Sequence, residues 1–456
     1  MSKTRNQTGA TVLLATLSVG VAFGQDTTSL TRVATDLLER TRARIARMTR
    51  GLTKYTCLES VDRAYYVPPA QKIGRDMTEP PATCNGIRPG NTTGLMHAAD
   101  DRLRLQVAVA GGTEIHSWPD SAAFDSRSVF QMVETGPIST GSFGLYLVDV
   151  FENPGTQFYF MGRGNDAGGE VFVYRFRVPL AASHSGVRAH GQARAENGWV
   201  TTAYGGSFDI YSATAELARL QFETDELPPS TEMCRARTTI DYHMILIGDG
   251  ELLLPIRSEL ETVRANRDDD RVITTFSSCR EYLAASSIRF DEDDSPQVNS
   301  EVDNVRPSPA PAVLPAGLPI ALALTEPVGH LAAAGDRVYA KVIKDVRDPE
   351  THRVLVPSGA IAHGRITLMR HRFVPMPGFE VSMSFDKLEM NGTVSPLSLR
   401  LDRSKEKPRR ENGLRAGRQE FSLPSDAEEG QVTVAFSAIR AIYAVPAHWE
   451  SRWITR

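Results

Sequence analysis

From Leu30 the apolar positions advance in steps of three and four. Leu30, Val33, Leu37, Leu38, Thr41, Ile45 and Met48 form one stripe, with Arg and Glu residues left outside it. This spacing predicts a helix over 29–50, with Thr28 or Ser29 suited to cap its start and Gly51 to end it. The stripe is suited to lie on a sheet; a coiled-coil partner is the alternative. From Tyr55 the period drops to two. Segments 54–67, 101–110, 112–118, 157–162 and 170–178 are short, rich in β-branched and aromatic residues and bounded by Gly or Pro, which predicts strands. Gly168-Gly169 and Gly248-Asp249-Gly250 predict hairpin turns, because Gly accepts positive φ. Between Met233 and Tyr282 the pattern predicts a three-stranded meander with Asp268-Asp269-Asp270 in its second turn. One internal helix is predicted over 141–152, where Phe143, Leu147, Val150 and Phe151 share a face and Asn153-Pro154-Gly155 stops it.

The pattern breaks over 291–312. Asp291-Glu292-Asp293-Asp294 runs into Pro307, Pro309 and Pro311 without an apolar period, so the segment reads as a linker that cannot bury enough surface to offset its ordering entropy. Beyond it, strands are predicted at 318–324, 337–346, 353–356, 360–369, 379–389, 393–401, 431–436 and 439–444. Asn391-Gly392 is a strong hairpin signal between two of them. A charged insert, basic first and acidic after, interrupts this second unit at 403–430. The fold class is therefore mainly β.

The first 24 residues change the picture of where such a protein works. Lys3 and Arg5 precede an apolar run from Ala10 to Phe23, and Ala22 and Gly24 supply small side chains before a cut ahead of Gln25. About fourteen apolar residues fall short of the roughly twenty that a membrane helix needs. Residues 1–24 are therefore expected to be a cleavable signal peptide and the protein to be exported, to a periplasm or the extracellular envelope. Gln25 in place of Cys leaves no lipoprotein acceptor, and no later stretch is apolar enough to span a bilayer. A formal net charge of −4 gives no global field for nucleic acid, and 41% hydrophobic with 23% charged residues is ordinary for a globular chain. The 35 Gly and 27 Pro suit many strands and turns.

Cys57, Cys84, Cys234 and Cys279 form an even set, which in an exported chain favours two disulfides over a zinc site, whose ligands would stand closer together. Three connectivities are open. Cys57–Cys84 with Cys234–Cys279 is favoured, because each pair closes the shorter loop.

Two resemblances emerge from these segments. Trp199-Val200-Thr201, Gly206-Ser207-Phe208-Asp209-Ile210 and Thr214-Ala215-Glu216-Leu217 resemble the strand–turn–strand of LolA-like lipoprotein carriers. Tyr55-Thr56-Cys57-Leu58-Glu59, Ser117-Trp118-Pro119, Ser139-Thr140-Gly141-Ser142-Phe143-Gly144 and Cys279-Arg280-Glu281-Tyr282 resemble an exported bacterial family of unassigned function. The resemblance implies a curved antiparallel half-barrel over 25–290 that wraps helices and presents a greasy concave face. Further on, Leu314-Pro315-Ala316-Gly317, Gly335-Asp336-Arg337-Val338, Val356-Pro357-Ser358-Gly359 and His363-Gly364-Arg365-Ile366 are similar to the C-terminal barrel of TrbI-type secretion-channel subunits. That implies a small antiparallel β-barrel over 313–456. The inner-membrane helix and pore-forming segment of such subunits are not seen, so a borrowed module is expected.

Candidate chemistry is sparse. Glu114 and His116 share one strand face, where such a pair can bind metal or shuttle protons, yet a surface pair beside Trp118 accounts for them. His184 and His190 fall in a Ser/Gly/Ala stretch. The run 139–144 lacks a nucleophile elbow or a Walker lysine, and Ser142 reads as a helix N-cap. The acidic runs 268–270 and 291–294 lack the ligand spacing of a calcium loop. Arg403, Lys405, Lys407, Arg409, Arg410, Arg415 and Arg418 have no interleaved aromatics to stack bases, so a solvated loop is expected, with anionic envelope surface as their functional alternative. No catalytic residue, cofactor or metal site is assigned. The expectation is a non-enzymatic envelope protein that binds an apolar, lipid-like ligand or another envelope protein, with an assembly module or an exported hydrolase as alternatives.

Overall fold

In the computed structural model of the protein, the stripe that starts at Leu30 becomes helix α1 (Phe23–Thr49), and the two-residue period that follows becomes antiparallel sheet. The structure describes residues 23–69, 84, 86–110, 112–121, 123–133, 136–188, 199–248, 250–281, 314–374, 377–402, 432–437, 444–445 and 447–456. Residues 1–22 of the expected signal peptide, the linker 291–312, the insert 403–430 and His190 thus lie outside the described residues. Helix α1 begins six residues before the predicted start, upstream of the predicted Thr28 or Ser29 cap.

The N-terminal strands are β1 (Tyr55–Val67), β2 (Met96–Ala110), β3 (Thr113–Ser117), β4 (Gln157–Asp166), β5 (Gly169–Val178), β6 (Gly186–Arg188), β7 (Trp199–Thr201), β8 (Tyr204–Tyr211), β9 (Leu217–Thr224), β10 (Met233–Ile247), β11 (Gly250–Arg264) and β12 (Asp269–Glu281). Short helices α2 (Val129–Met132) and α3 (Leu145–Leu147) lie between β3 and β4, and a wider turn, Val148–Glu152, continues α3. Ladders place the strands in the order β3-β2-β1-β12-β11-β10-β9-β8-β5-β4, with β6–β7 a separate ribbon. The sheet stays open between β3 and β4, a half-barrel. The predicted meander is β10–β11–β12, although Asp269 and Asp270 already belong to β12.

Alternation sends one set of side chains to the concave side. There Ala34, Leu37 and Ile45 of α1 meet Tyr174, Phe176, Tyr204, Phe208 and Phe222, all buried. The rings interlock: Tyr174 stacks on Phe208 at 5.0 Å, and Phe151 meets Phe208 edge-on at 5.0 Å. The Tyr174 hydroxyl donates to the Ala34 carbonyl at 2.7 Å, so the buried ring leaves no polar atom unpaired.

The disulfides depart from the favoured connectivity. Cys57 bonds Cys279 and Cys84 bonds Cys234. The reason lies in strand order: β12 returns to pair directly with β1, with Tyr55 opposite Glu281 and Thr56 opposite Arg280, so the first and last strands of this unit are neighbours. Shorter loops were the wrong guide, because sheet register and not sequence distance brings the sulfurs together.

The C-terminal unit comprises β13 (Pro319–Leu324), β14 (Val328–Gly329), β15 (Arg337–Val342), β16 (Val346–Arg347), β17 (Val354–Val356), β18 (Ile361–Arg372), β19 (Gly378–Met390), β20 (Thr393–Pro396), β21 (Leu399–Leu401), β22 (Val432–Ser437), β23 (Ala444–Val445) and β24 (Glu450–Thr455). Asn391 and Gly392 both take positive φ, 49° and 77°, which makes the hairpin between β19 and β20. The predicted strand 393–401 breaks in two. Its first half pairs with β19 and its second with β24, so β13, β15, β18, β19, β20–β21 and β24 follow one another around a small barrel. Trp453 fills its core, packed edge-on against Phe385.

The two units share a ladder: Arg370, His371 and Arg372 of β18 pair with Asp101, Asp100 and Ala99 of β2. Behind it Arg63, fully enclosed, is ion-paired with Asp101, whose second oxygen accepts from the Tyr65 hydroxyl at 2.8 Å and faces Arg370 at 3.3 Å. Gly335 closes the junction. Its φ of +106° and the Arg104 carbonyl, 2.1 Å from where a Cβ would stand, exclude any other residue without strain.

Candidate functional site

Where the aromatic core ends, the concave face and the segments laid over it enclose a cavity of about 180 Å³. Strands β9, β10 and β11 supply the floor: Thr238 faces Phe222 on one side and Leu260 on the other, and Ala236 faces Thr262. Phe130, Val133, the loop 136–140, Tyr146 and the β6–β7 ribbon form the roof. The Ser128 N–H donates to Gln131 Oε1 at 2.9 Å, which fixes the start of α2 and with it Phe130. The floor threonines are buried, while Trp199 at the outer end is 44% exposed. Arg188 stands opposite Trp199 in the ribbon, with its guanidinium 4.8 Å from that ring and 5.2 Å from the Phe130 ring. Partial burial holds Arg188 below its ordinary pKa.

A row of polar groups runs along the concave face beside the roof loop. Strand pleating puts Glu59 of β1 and His116 of β3 on one side, and Glu59 Oε2 lies 3.2 Å from His116 Nε2 with both side chains almost wholly buried. Glu114 accepts the N–H groups of Gly141, Phe143 and Gly144 at 2.7, 2.9 and 3.2 Å, so its carboxylate gathers the loop that leads into Tyr146. Burial raises Glu114 above the usual carboxylate value, against the pull of His116 and these N–H groups. Burial alone would lower His116, but Glu59 and Glu114 outweigh it and hold the imidazolium above its ordinary value. Among the described residues the buried Tyr242 hydroxyl has no hydrogen-bond partner.

These positions settle several expectations. Glu114 and His116 share a face as predicted, but as an inward pair joined by Glu59 and not as a surface pair. Ser142 is no N-cap: its hydroxyl meets the Ser258 hydroxyl at 2.9 Å in the interior, and the helix starts only at Leu145 because Glu114 holds the N–H groups before it. His184 is exposed and lies 2.8 Å from Asp149. Asp269, one of the acidic run, is buried with its Oδ2 accepting from the Gly90 N–H at 3.0 Å; burial chiefly raises its pKa to about 7. Among the described residues no group of three or more His, Cys, Asp or Glu is placed to hold a metal, and no helix there is long and apolar enough to cross a membrane. Sequence analysis does not bring Glu59 to His116, nor Arg188 and Trp199 to one cavity. Glu59 had a signal, a charge in the phase of Cys57 and Val61; Arg188 and Trp199 had none.

No protein-family model matches the chain, and no curated protein matches it. Among solved structures it is similar to a putative outer membrane lipoprotein-sorting protein domain from Vibrio parahaemolyticus, at 11% identity and a TM-score of 0.25, over 54% of this chain and 93% of that one. A LolA superfamily protein from Nitrosomonas europaea aligns at 9% identity and a TM-score of 0.25, over 55% and 94%. A DUF1329 family protein from Desulfovibrio piger aligns at 8% and 0.23, over 55% and 95%.

Proposed function

We propose that this is an exported, non-enzymatic envelope protein, periplasmic or at the outer envelope, that holds an apolar, lipid-like ligand in the concavity of a LolA-like half-barrel spanning 25–290. The cavity between the sheet and its roof carries this reading. It is lined by Phe130, Val133, Ile138, Phe222, Met233 and Leu260, and it opens beside an exposed tryptophan. Two disulfides fit an oxidising compartment. The TrbI-like barrel over 313–456 is then a support docked on β2. In the Glu59–His116–Glu114 row, Glu114 holds the N–H groups of Gly141, Phe143 and Gly144, which suits a structural task better than turnover. Lipid extraction and mass spectrometry of protein purified from its native envelope should recover a stoichiometric apolar molecule, and an environment-sensitive apolar dye should be displaced by it. Protein that carries no such molecule and leaves the dye dark would remove the reading.

A further inference from the structure

Thr238 sits in the middle of the cavity floor, between Phe222 of β9 and Leu260 of β11, and is 3% exposed. Neighbouring hydroxyls of the lining are engaged inside the protein. Thr224 accepts the Ala236 N–H at 3.1 Å, Thr231 donates to the Pro228 carbonyl at 2.8 Å, and Thr262 meets Asp270 at 3.5 Å. The Thr238 hydroxyl has no hydrogen bond to any described residue. Tyr146 repeats this on the roof: its ring packs on Phe222 at 4.7 Å, and its phenol has no hydrogen bond among the described residues. A floor hydroxyl and a roof hydroxyl beside one ring are thus left for whatever enters, and burying them unmatched under an apolar molecule would cost free energy.

Burial chiefly, and then the charges of Glu114 and Asp149, hold the Tyr146 phenol above its ordinary pKa, so it keeps its proton and can donate. The described lining contains no Asp, Glu, His or Lys, and its Arg264 is taken up by Asp270 at 2.5 Å and Asp268 at 3.7 Å. What surrounds Phe222 is therefore hydroxyl and ring. We infer that the ligand carries a neutral hydroxyl on its enclosed apolar part, seated beside Phe222 between Thr238 and Tyr146. A hydroxyl both donates and accepts, which matches Thr238 in either sense and the Tyr146 phenol as donor. Volume sets the size of the enclosed part: 180 Å³ is close to the about 150 Å³ that holds one benzene ring, so any longer chain leaves past Trp199. This inference rests on the apolar-ligand reading and adds one polar atom to it.

Three one-ring probes separate the two ideas, measured by calorimetry in sealed vessels on the full chain at neutral pH: toluene, 4-methylphenol and 4-methylbenzoate. 4-Methylphenol should bind about tenfold or more tighter than toluene, because a site built for a hydroxyl disfavours the analogue that leaves its own polar groups unpaired. The charged 4-methylbenzoate should bind weakest. Thr238→Val and Tyr146→Phe should each reduce the preference for 4-methylphenol several-fold, and Thr238→Ser should keep most of it. Toluene, which needs neither hydroxyl, should bind both variants at least as well as the unaltered protein and so reports that the cavity still forms. Toluene binding the unaltered protein as tightly as 4-methylphenol, or 4-methylbenzoate binding tightest, would overturn the hydroxyl inference while leaving the apolar reading standing. A preference that survives either removal intact would overturn the seat between Thr238 and Tyr146. Failure of all three probes to bind would remove both ideas.

Discussion

His116 lies 3.2 Å from Glu59 in a place that water scarcely reaches, and its protonation is tied to folding. Its folded pKa lies above the ordinary 6.5. The stability it contributes is therefore complete below about pH 6.5 and is lost as pH rises through the higher folded value. Melting temperature should fall as pH rises above about 6.5, and His116→Gln should flatten that fall while lowering the acid-side plateau. A curve for the unaltered protein that stays level across this window would show that the imidazolium contributes nothing. Asp269 acts in a lower window. Its carboxyl is raised from 3.8 to about 7, so the folded protein keeps a proton that the unfolded chain releases, and the benefit fades as pH climbs from about 4 to 7. Asp269→Asn should gain stability relative to the unaltered protein as pH rises through that window, with the difference levelling off above it; denaturant titrations at a series of pH values read this directly. Asp101 is different in kind, because it neutralises the enclosed Arg63. Asp101→Ala should cost about 3–5 kcal/mol, the usual result of stranding a buried charge.

At the scale of elements, β1 decides the architecture of the N-terminal unit, since it alone pairs with both the second strand and the last one. Peptide mapping without reduction should therefore recover Cys57 linked to Cys279 and Cys84 linked to Cys234; a Cys57–Cys84 peptide would mean that β12 does not close on β1. The same strand shows what a sequence can and cannot disclose. Period two was plain from Cys57 to Arg63, because every second side chain there is buried whatever lies opposite. Its partner was not plain, because a ladder between residues more than two hundred positions apart leaves no local trace. Glu59 and Arg63 occupy the apolar phase of this strand, and that mismatch was the readable sign of a buried polar row. The loop before Leu145 misled for a related reason. Its Ser-Gly run looks like a cap, and the group that actually takes the N–H bonds, Glu114, comes from β3. The strand Glu450–Thr455 went unread although Trp453 anchors the barrel, because its apolar residues, Trp453 and Ile454, are adjacent and do not alternate.

For the whole molecule, the sequence suggests two bodies on a string, while the ladders join them. Segment 291–312 has the composition of a protease-sensitive connector, acidic and then rich in Pro, with nothing to pack. Yet β18 lies on β2, Arg104 meets Asp336 at 2.6 Å, the Arg104 N–H donates to the Ala334 carbonyl at 2.7 Å, and Arg365 reaches the Pro119 carbonyl at 3.0 Å. These contacts do not depend on the covalent connector. Limited proteolysis of the native full chain should cut first within 291–312 and yield two fragments that still co-elute in native size-exclusion chromatography, separating only in denaturant. Gly335→Ala, which forces a Cβ against the Arg104 carbonyl, should let the cut fragments separate at far lower denaturant than those of the unaltered protein. Fragments of the unaltered protein that part at once in native buffer would show that the shared ladder is too weak to hold the barrel on the half-barrel.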